Sequence, residues 1–120
     1  MKGIVTEYQA LLNIPFCLTQ DRVLNIECVI DTGFIGFLTL PMIAVQEMNL
    51  PFIRRMPANL ADDSTVFLEA FTVPILWNGE KLEIEVLATG SRPLIGTLLL
   101  NGCSLNVEFT EGGLVNIAIL

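Results

Sequence analysis

The sequence predicts an all-β chain, a closed barrel of six to nine short strands carrying one or two short helices, and three observations predict it. Apolar residues recur at every second position: Leu12, Ile14, Phe16 and Leu18 share one face, as do Leu24, Ile26, Cys28 and Ile30. A period of two is the repeat of a half-buried strand. Turn formers separate such runs at Gln20-Asp21-Arg22, Asn78-Gly79 and Gly112-Gly113. Helical patterning is confined to two short stretches, one after Thr39 and one after Gly96.

Taken in chain order, Lys2 to Tyr8 is the first expected strand. The two alternating runs that follow form a hairpin across Gln20-Asp21-Arg22. The second of them ends in Val29-Ile30-Asp31-Thr32-Gly33, an apolar strand that delivers a carboxylate, a hydroxyl and a glycine to a turn. A helix is expected with Thr39 as N-cap, Pro41 in the first turn and Met42 to Met48 as its body, stopped by Pro51. Ile43, Ala44 and Met48 would face the core. Arg54-Arg55 is expected in a solvated loop, and Leu60-Ala61-Asp62-Asp63-Ser64 forms a polar tip between extended runs. Phe71 to Trp77 and Lys81 to Leu87 pair across Asn78-Gly79, residues that tolerate the positive φ of a type I′ turn. Glu80, Glu83 and Glu85 alternate with Leu82, Ile84 and Val86, the pattern of a strand with one wet face. Leu94-Ile95-Gly96, an apolar pair closed by glycine, leads into a helical turn over Thr97 to Leu100 that stops at Asn101-Gly102. Leu114 to Leu120 closes the chain as a strand. Exposed terminal strands either fray or find another strand, so the two ends are expected to interleave with those of a second copy as a four-stranded dimer seam. Tyr8 and Trp77 are core or interface aromatics.

Composition narrows the function classes. The 120 residues contain no linker or repeat and are expected to form one domain, residues 1–120. Apolar residues make up 52% and charged residues 16%, so some apolar surface is expected to meet a partner. A net charge of −7 with no His argues against nucleic acid, whose phosphates require clustered Lys and Arg. Without His, and with three cysteines at no metal-ligand spacing, no metal or other cofactor is expected. Cys17, Cys28 and Cys103 read as small buried hydrophobes in a reducing compartment. A nucleophilic Cys would lack the His that activates it. No apolar segment is long enough to span a bilayer, and Asn13 and Pro15 interrupt the early sequence before a signal-peptide core forms. The expected location is cytoplasmic, with no membrane partner.

The stretch Asp31-Thr32-Gly33-Phe34-Ile35-Gly36-Phe37-Leu38-Thr39-Leu40-Pro41, followed at a distance by the polar tip and by Leu94-Ile95-Gly96, resembles the retropepsin-like (clan AA) aspartic proteases. It is similar in particular to their small single-domain bacterial members, whose motif reads Asp-Thr-Gly-Phe-x-Gly and continues Leu-Thr-Leu-Pro. The likeness runs from about Ile14 to Phe109.

The resemblance implies a retropepsin-like closed β-barrel acting as a homodimeric aspartic endopeptidase on a peptide or protein substrate. Each subunit would contribute one Asp31 at a two-fold axis, since isologous contact brings the same residue from both copies together. Two adjacent carboxyls share a proton, so that one acts as base and its twin as acid on a water held between them. Thr32 would hydrogen-bond across the dyad, Gly33 would admit the substrate backbone, and Leu94, Ile95 and Gly96 would brace the turn. Phe34 would line the substrate groove, and Leu60, Ala61, Asp62 and Asp63 would form a flap that excludes water. The chain departs from its relatives at Asp63, where Gly is frequent, and at Leu98, where the bacterial subgroup often shows Asp. Those departures support an alternative, a catalytically weak or inactive dimer of the same fold that binds peptides by strand addition. A third reading is a subunit of a larger assembly.

Overall fold

The computed structural model describes residues 1–120. The first half of the chain runs β1 (Lys2–Thr6), β2 (Gln9–Cys17), β3 (Val23–Ile30), β4 (Leu38–Leu40), α1 (Met42–Glu47) and β5 (Phe52–Asn59). The second half runs β6 (Thr65–Trp77), β7 (Glu80–Ala88), β8 (Leu94–Ile95), α2 (Thr97–Leu100), β9 (Cys103–Val107) and β10 (Leu114–Ile119). The chain is therefore mostly β with two short helices, and its ten strands exceed the six to nine expected. They form one sheet of order β5-β6-β7-β4-β8-β3-β2-β1-β10-β9, and β2 also meets β6 at Phe16↔Ile75.

Local chemistry explains the hairpins. Gln20 and Asp21 take φ of 62° and 57° between β2 and β3, and Asn78 and Gly79 take 50° and 81° between β6 and β7. These left-handed torsions match the strand twist, so both turns form where the sequence placed them. The apolar faces close over one core in which Leu12, Ile14, Phe16, Val73, Ile75 and Val86 are almost wholly buried. Cys28 lies within it, and burial, with the nearby Glu27 carboxylate, pushes its thiol up to about 12. An unfolded chain ionises this thiol at its ordinary value near 8.5–9 while the folded chain does not, so stability falls as pH rises through that range toward 12. Cys28 should resist alkylation at pH 8 in the native protein and react at once in urea, as mass spectrometry of labelled peptides would show. Labelling of native Cys28 at the unfolded rate would contradict this burial.

The centre of the sheet sets up the site. β3 runs parallel to β8, β8 antiparallel to β4, and β4 parallel to β7. Two chain segments distant in sequence, Val29–Ile30 and Leu94–Ile95, thereby lie side by side.

Several expectations are corrected. Thr39 does not cap α1. It belongs to β4, is 3% exposed, and its hydroxyl accepts a hydrogen bond from Leu94 N at 3.2 Å. Pro41 occupies the N-cap position with no side-chain cap, and Val45, not Ile43, points into the core. Arg54 and Arg55 lie in β5 and not in a loop, with Arg54 paired to Glu85 at 2.6 Å and Arg55 over the Phe67 ring. Trp77 is buried as expected of a core aromatic, whereas Tyr8, in a left-handed turn after β1, is 95% exposed. The terminal strands are not open edges: β1 lies between β2 and β10, and β10 between β1 and β9. The edges are β5 and β9. None of the helices is long and apolar enough to cross a membrane.

Candidate active site

β3 ends by handing Asp31 to a tight turn. Asp31 N donates to Ile95 O at 2.9 Å, continuing the parallel pairing with β8 by one residue, and Phe34 N donates back to Asp31 O at 3.2 Å. Gly33 N donates to the carboxylate itself, at 2.9 Å from Oδ1. A Cβ on Gly33 would lie 3.2 Å from that oxygen, tight enough to disturb the carboxylate. Asp31 and Phe34 are half-buried, while Thr32 and Gly33 are exposed.

The segment after Asp31 is held from behind by the start of α2. Gly96 N donates to Phe37 O at 3.1 Å, Thr97 N to Phe34 O at 2.9 Å, and Leu98 N to Gly36 O at 3.1 Å. Thr97 Oγ1 adds a fourth bond, to Phe34 O at 3.3 Å. Helix-start N–H groups lack intrahelical partners, and here loop carbonyls supply them. This exchange requires close approach. A Cβ on Gly96 would collide with Gly36 O and sit 2.6 Å from Phe34 Cδ2 and 2.8 Å from Phe34 O. Gly96 has φ −100°, which any residue adopts, so the site demands glycine for space and not for torsion.

Two cavities flank this frame. One, of about 370 Å³, contains Asp31 and Thr32, with Val29, Ile30 and Leu94 from the central strands and Leu105, Val107 and Phe109 from the C-terminal segment. Tyr8 stands at the same cavity. The other, of about 300 Å³, lies between Ile35–Leu38 and Met56 of β5, with the Arg54–Glu85 pair beside it.

The polar tip forms as a hairpin. Asp63 N donates to Leu60 O at 3.0 Å and Leu60 N to Ser64 O at 2.8 Å, which makes a three-residue loop with Asp63 left-handed at φ 64°. Asp62 Oδ1 accepts from Ser64 N at 3.0 Å and from Ser64 Oγ at 2.5 Å, and these bonds hold its carboxyl below the usual range. A lowered folded pKa gives support that is full above the unfolded value near 3.9 and lost as pH falls through the folded one, so acid loosens this tip. Asp63→Gly removes a side chain from a torsion that costs L residues about 1–2 kcal/mol. It should raise the thermal midpoint by a few degrees, and a fall in the midpoint would contradict this turn geometry.

Among solved structures, the chain matches a retropepsin-like aspartic protease from Rickettsia conorii with a TM-score of 0.60, at 15% sequence identity, over 98% of this chain and 90% of that one. No family model and no curated protein matches the sequence. The chain therefore has the retropepsin-like fold.

The structure places the turn of Asp31, Thr32, Gly33 and Phe34 beside Leu94, Ile95 and Gly96. Leu60, Ala61, Asp62 and Asp63 line neither cavity, whereas Arg54 and Met56 of β5 line the one beside Ile35–Leu38. Sequence reasoning missed Leu105, Val107 and Phe109 beside Asp31, and Thr39 as the tie between β4 and β8. A threonine within an otherwise apolar run, Leu38-Thr39-Leu40, was the available signal for the latter.

Proposed function

We propose that this chain is an aspartic endopeptidase that acts as a homodimer, with a water activated between Asp31 of one subunit and Asp31 of its partner. The observation that carries the reading is the Asp31 turn: a half-buried carboxylate with one oxygen held by Gly33 N, placed at an apolar cavity in a retropepsin-like fold. Peptide hydrolysis needs one group to take the water proton and another to protonate the scissile carbonyl oxygen. One Asp31 cannot do both, and a two-fold axis beside the turn supplies the second. With Oδ1 anchored, Oδ2 is free to face water and the opposite carboxyl. Thr32, exposed beside it, would bond across the axis, and Gly33 would leave room for the substrate backbone. The β5–β6 hairpin would act as the flap, and the barrel would close through Phe16 and Ile75. Apolar walls from Ile35 in one cavity and Leu94 in the other would favour apolar substrate side chains.

The alternative, a peptide-binding dimer without hydrolysis, draws on Asp63 at the flap tip and on Leu98, 46% exposed where bacterial relatives often carry Asp. Pepstatin, which mimics the tetrahedral intermediate at a protonated carboxyl pair, separates the two readings. Tight binding that strengthens in acid and stops casein cleavage supports the endopeptidase. Peptide binding that pepstatin does not displace supports the alternative.

A further inference from the structure

Of the six basic residues only Arg54 meets a carboxylate, Glu85. Arg92 is tied to a neutral group instead: its guanidinium donates from Nη1 to Gln9 Oε1, 83 positions away in sequence. That bond places the cation. Gln9 opens β2 and lines the Asp31 cavity, and β2 pairs with β3 from Leu11↔Val29 onward. Two residues beyond that pair, the same register sets Gln9 against Asp31. On the other side of β3 lies β8: Val29 pairs with Leu94, and Val29 N donates to Pro93 O at 2.9 Å, which keeps the chain before β8 alongside. Arg92 leaves from there, so a bond from its guanidinium to β2 crosses β3. It crosses on the cavity face, because Val29, Leu94 and Gln9 all line that cavity.

The positive charge is left without a counterion. Asp31 is the only charged residue in the cavity lining, and Arg92 forms no salt bridge. A guanidinium carries five N–H donors in a planar fork that matches a carboxylate with two parallel bonds, and Gln9 takes one of them. Arg92 is exposed and Gln9 half-buried, so the fork is steadied from the cavity side and open on the other. A chain of net charge −7 repels acidic peptides at long range, so a preference for them at this cavity has Arg92 as its source.

We propose that Arg92, steadied by Gln9, is a specificity-determining residue that receives a carboxylate of the peptide lying in the Asp31 cavity. This deepens the proposed function, and rests on it for cleavage but not for binding. The carboxylate belongs to a Glu or Asp side chain beside the apolar residues that meet Leu94, or to the free C-terminus of the peptide. The chemistry of recognition is the same for both.

The probes are peptides with an apolar centre and one Glu walked along the flanking positions, each matched by its Gln counterpart and each made with a free and an amidated C-terminus. At one position the wild type should prefer Glu about 5- to 20-fold in kcat/KM, through KM and not kcat. A preference that survives amidation assigns a side chain, and one that follows the free C-terminus assigns the chain end; either supports the subsite. Arg92→Gln should treat Glu and Gln peptides alike, and Arg92→Glu should prefer a Lys peptide. Gln9→Glu keeps the cation but gives it a resident carboxylate of nearly the same shape, and should abolish the preference as well. These surface changes should leave the thermal midpoint within about 4 °C of the parent. Binding of the same peptides to Asp31→Asn, read by fluorescence anisotropy, separates recognition from chemistry. Glu-selective binding together with no cleavage by the wild type supports the subsite and overturns the catalytic reading of Asp31. Equal or absent binding of Glu and Gln peptides at every position, a preference that persists in Arg92→Gln, or a dimer that Arg92→Gln dissociates overturns the subsite.

Discussion

Asp31→Asn should lower peptide hydrolysis by at least about 10²- to 10⁴-fold, the usual worth of a positioned acid or base. The amide is nearly isosteric, can still accept from Gly33 N through its oxygen, and keeps the turn. It cannot take a proton from water or share one with its twin. The substitution should therefore leave the thermal midpoint unchanged or raised, because it removes two carboxylates that repel one another across the axis. The same relief should tighten the dimer at neutral pH. A variant that loses activity together with its fold would tell nothing about chemistry, so circular dichroism and sedimentation accompany the assay. Full cleavage by a clean, folded Asp31→Asn preparation contradicts the proposed mechanism.

Gly96→Ala has the second largest expected effect, and it acts through space. The added methyl meets Gly36 O and Phe34 O, backbone atoms that cannot swing aside as a side-chain tip could. Relief requires α2 and the Phe34–Phe37 segment to move apart, which weakens the bonds from Gly96 N, Thr97 N and Leu98 N together. Overpacking of this kind costs roughly 1–3 kcal/mol, worth about 4–12 °C in a domain of this size. Activity should fall more than stability alone accounts for, because the displaced segment continues directly from Asp31. Gly90→Ala is the matched control: Gly90 is left-handed at φ 77°, and a Cβ there meets nothing within 4 Å. It should cost about 1–2 kcal/mol through its torsion and spare activity. Equal effects from the two substitutions would show that the Gly36–Gly96 contact does not position the turn.

Features set by a few adjacent residues were legible in the sequence. Period-two alternation marked β2 and β3, Asn78-Gly79 marked the β6–β7 turn, and Leu94-Ile95-Gly96 was placed correctly as a strand entering a helix. Features decided by partners distant in the chain were not. Thr39 has the residue type of an N-cap, but its hydroxyl is taken by Leu94 N, and that tertiary bond keeps it in a strand. The ends of the chain read as open edges because local sequence does not say that β10 lies beside β1. For the same reason Leu105 and Val107 gave no sign of standing beside Asp31, more than seventy positions earlier. Arg54 is solvated as expected but lies in a strand and not a loop, and its partner, Glu85, belongs to a strand two places away in the sheet. At the candidate site, the turn and its brace were readable, and the walls of the cavity were not.

The central claim is that cleavage requires Asp31 from both subunits, and mixing tests it most directly. Wild-type and Asp31→Asn chains are combined at a fixed total concentration, allowed to exchange, and assayed on one peptide across the range of mixtures. Random pairing makes the fraction of dimers with two intact carboxyls the square of the wild-type fraction, and tighter pairing with the Asn variant lowers it further, so an equal mixture should retain no more than about one quarter of the wild-type rate. A rate that falls in simple proportion to the wild-type fraction would mean that each carboxyl works alone, and would contradict the shared dyad.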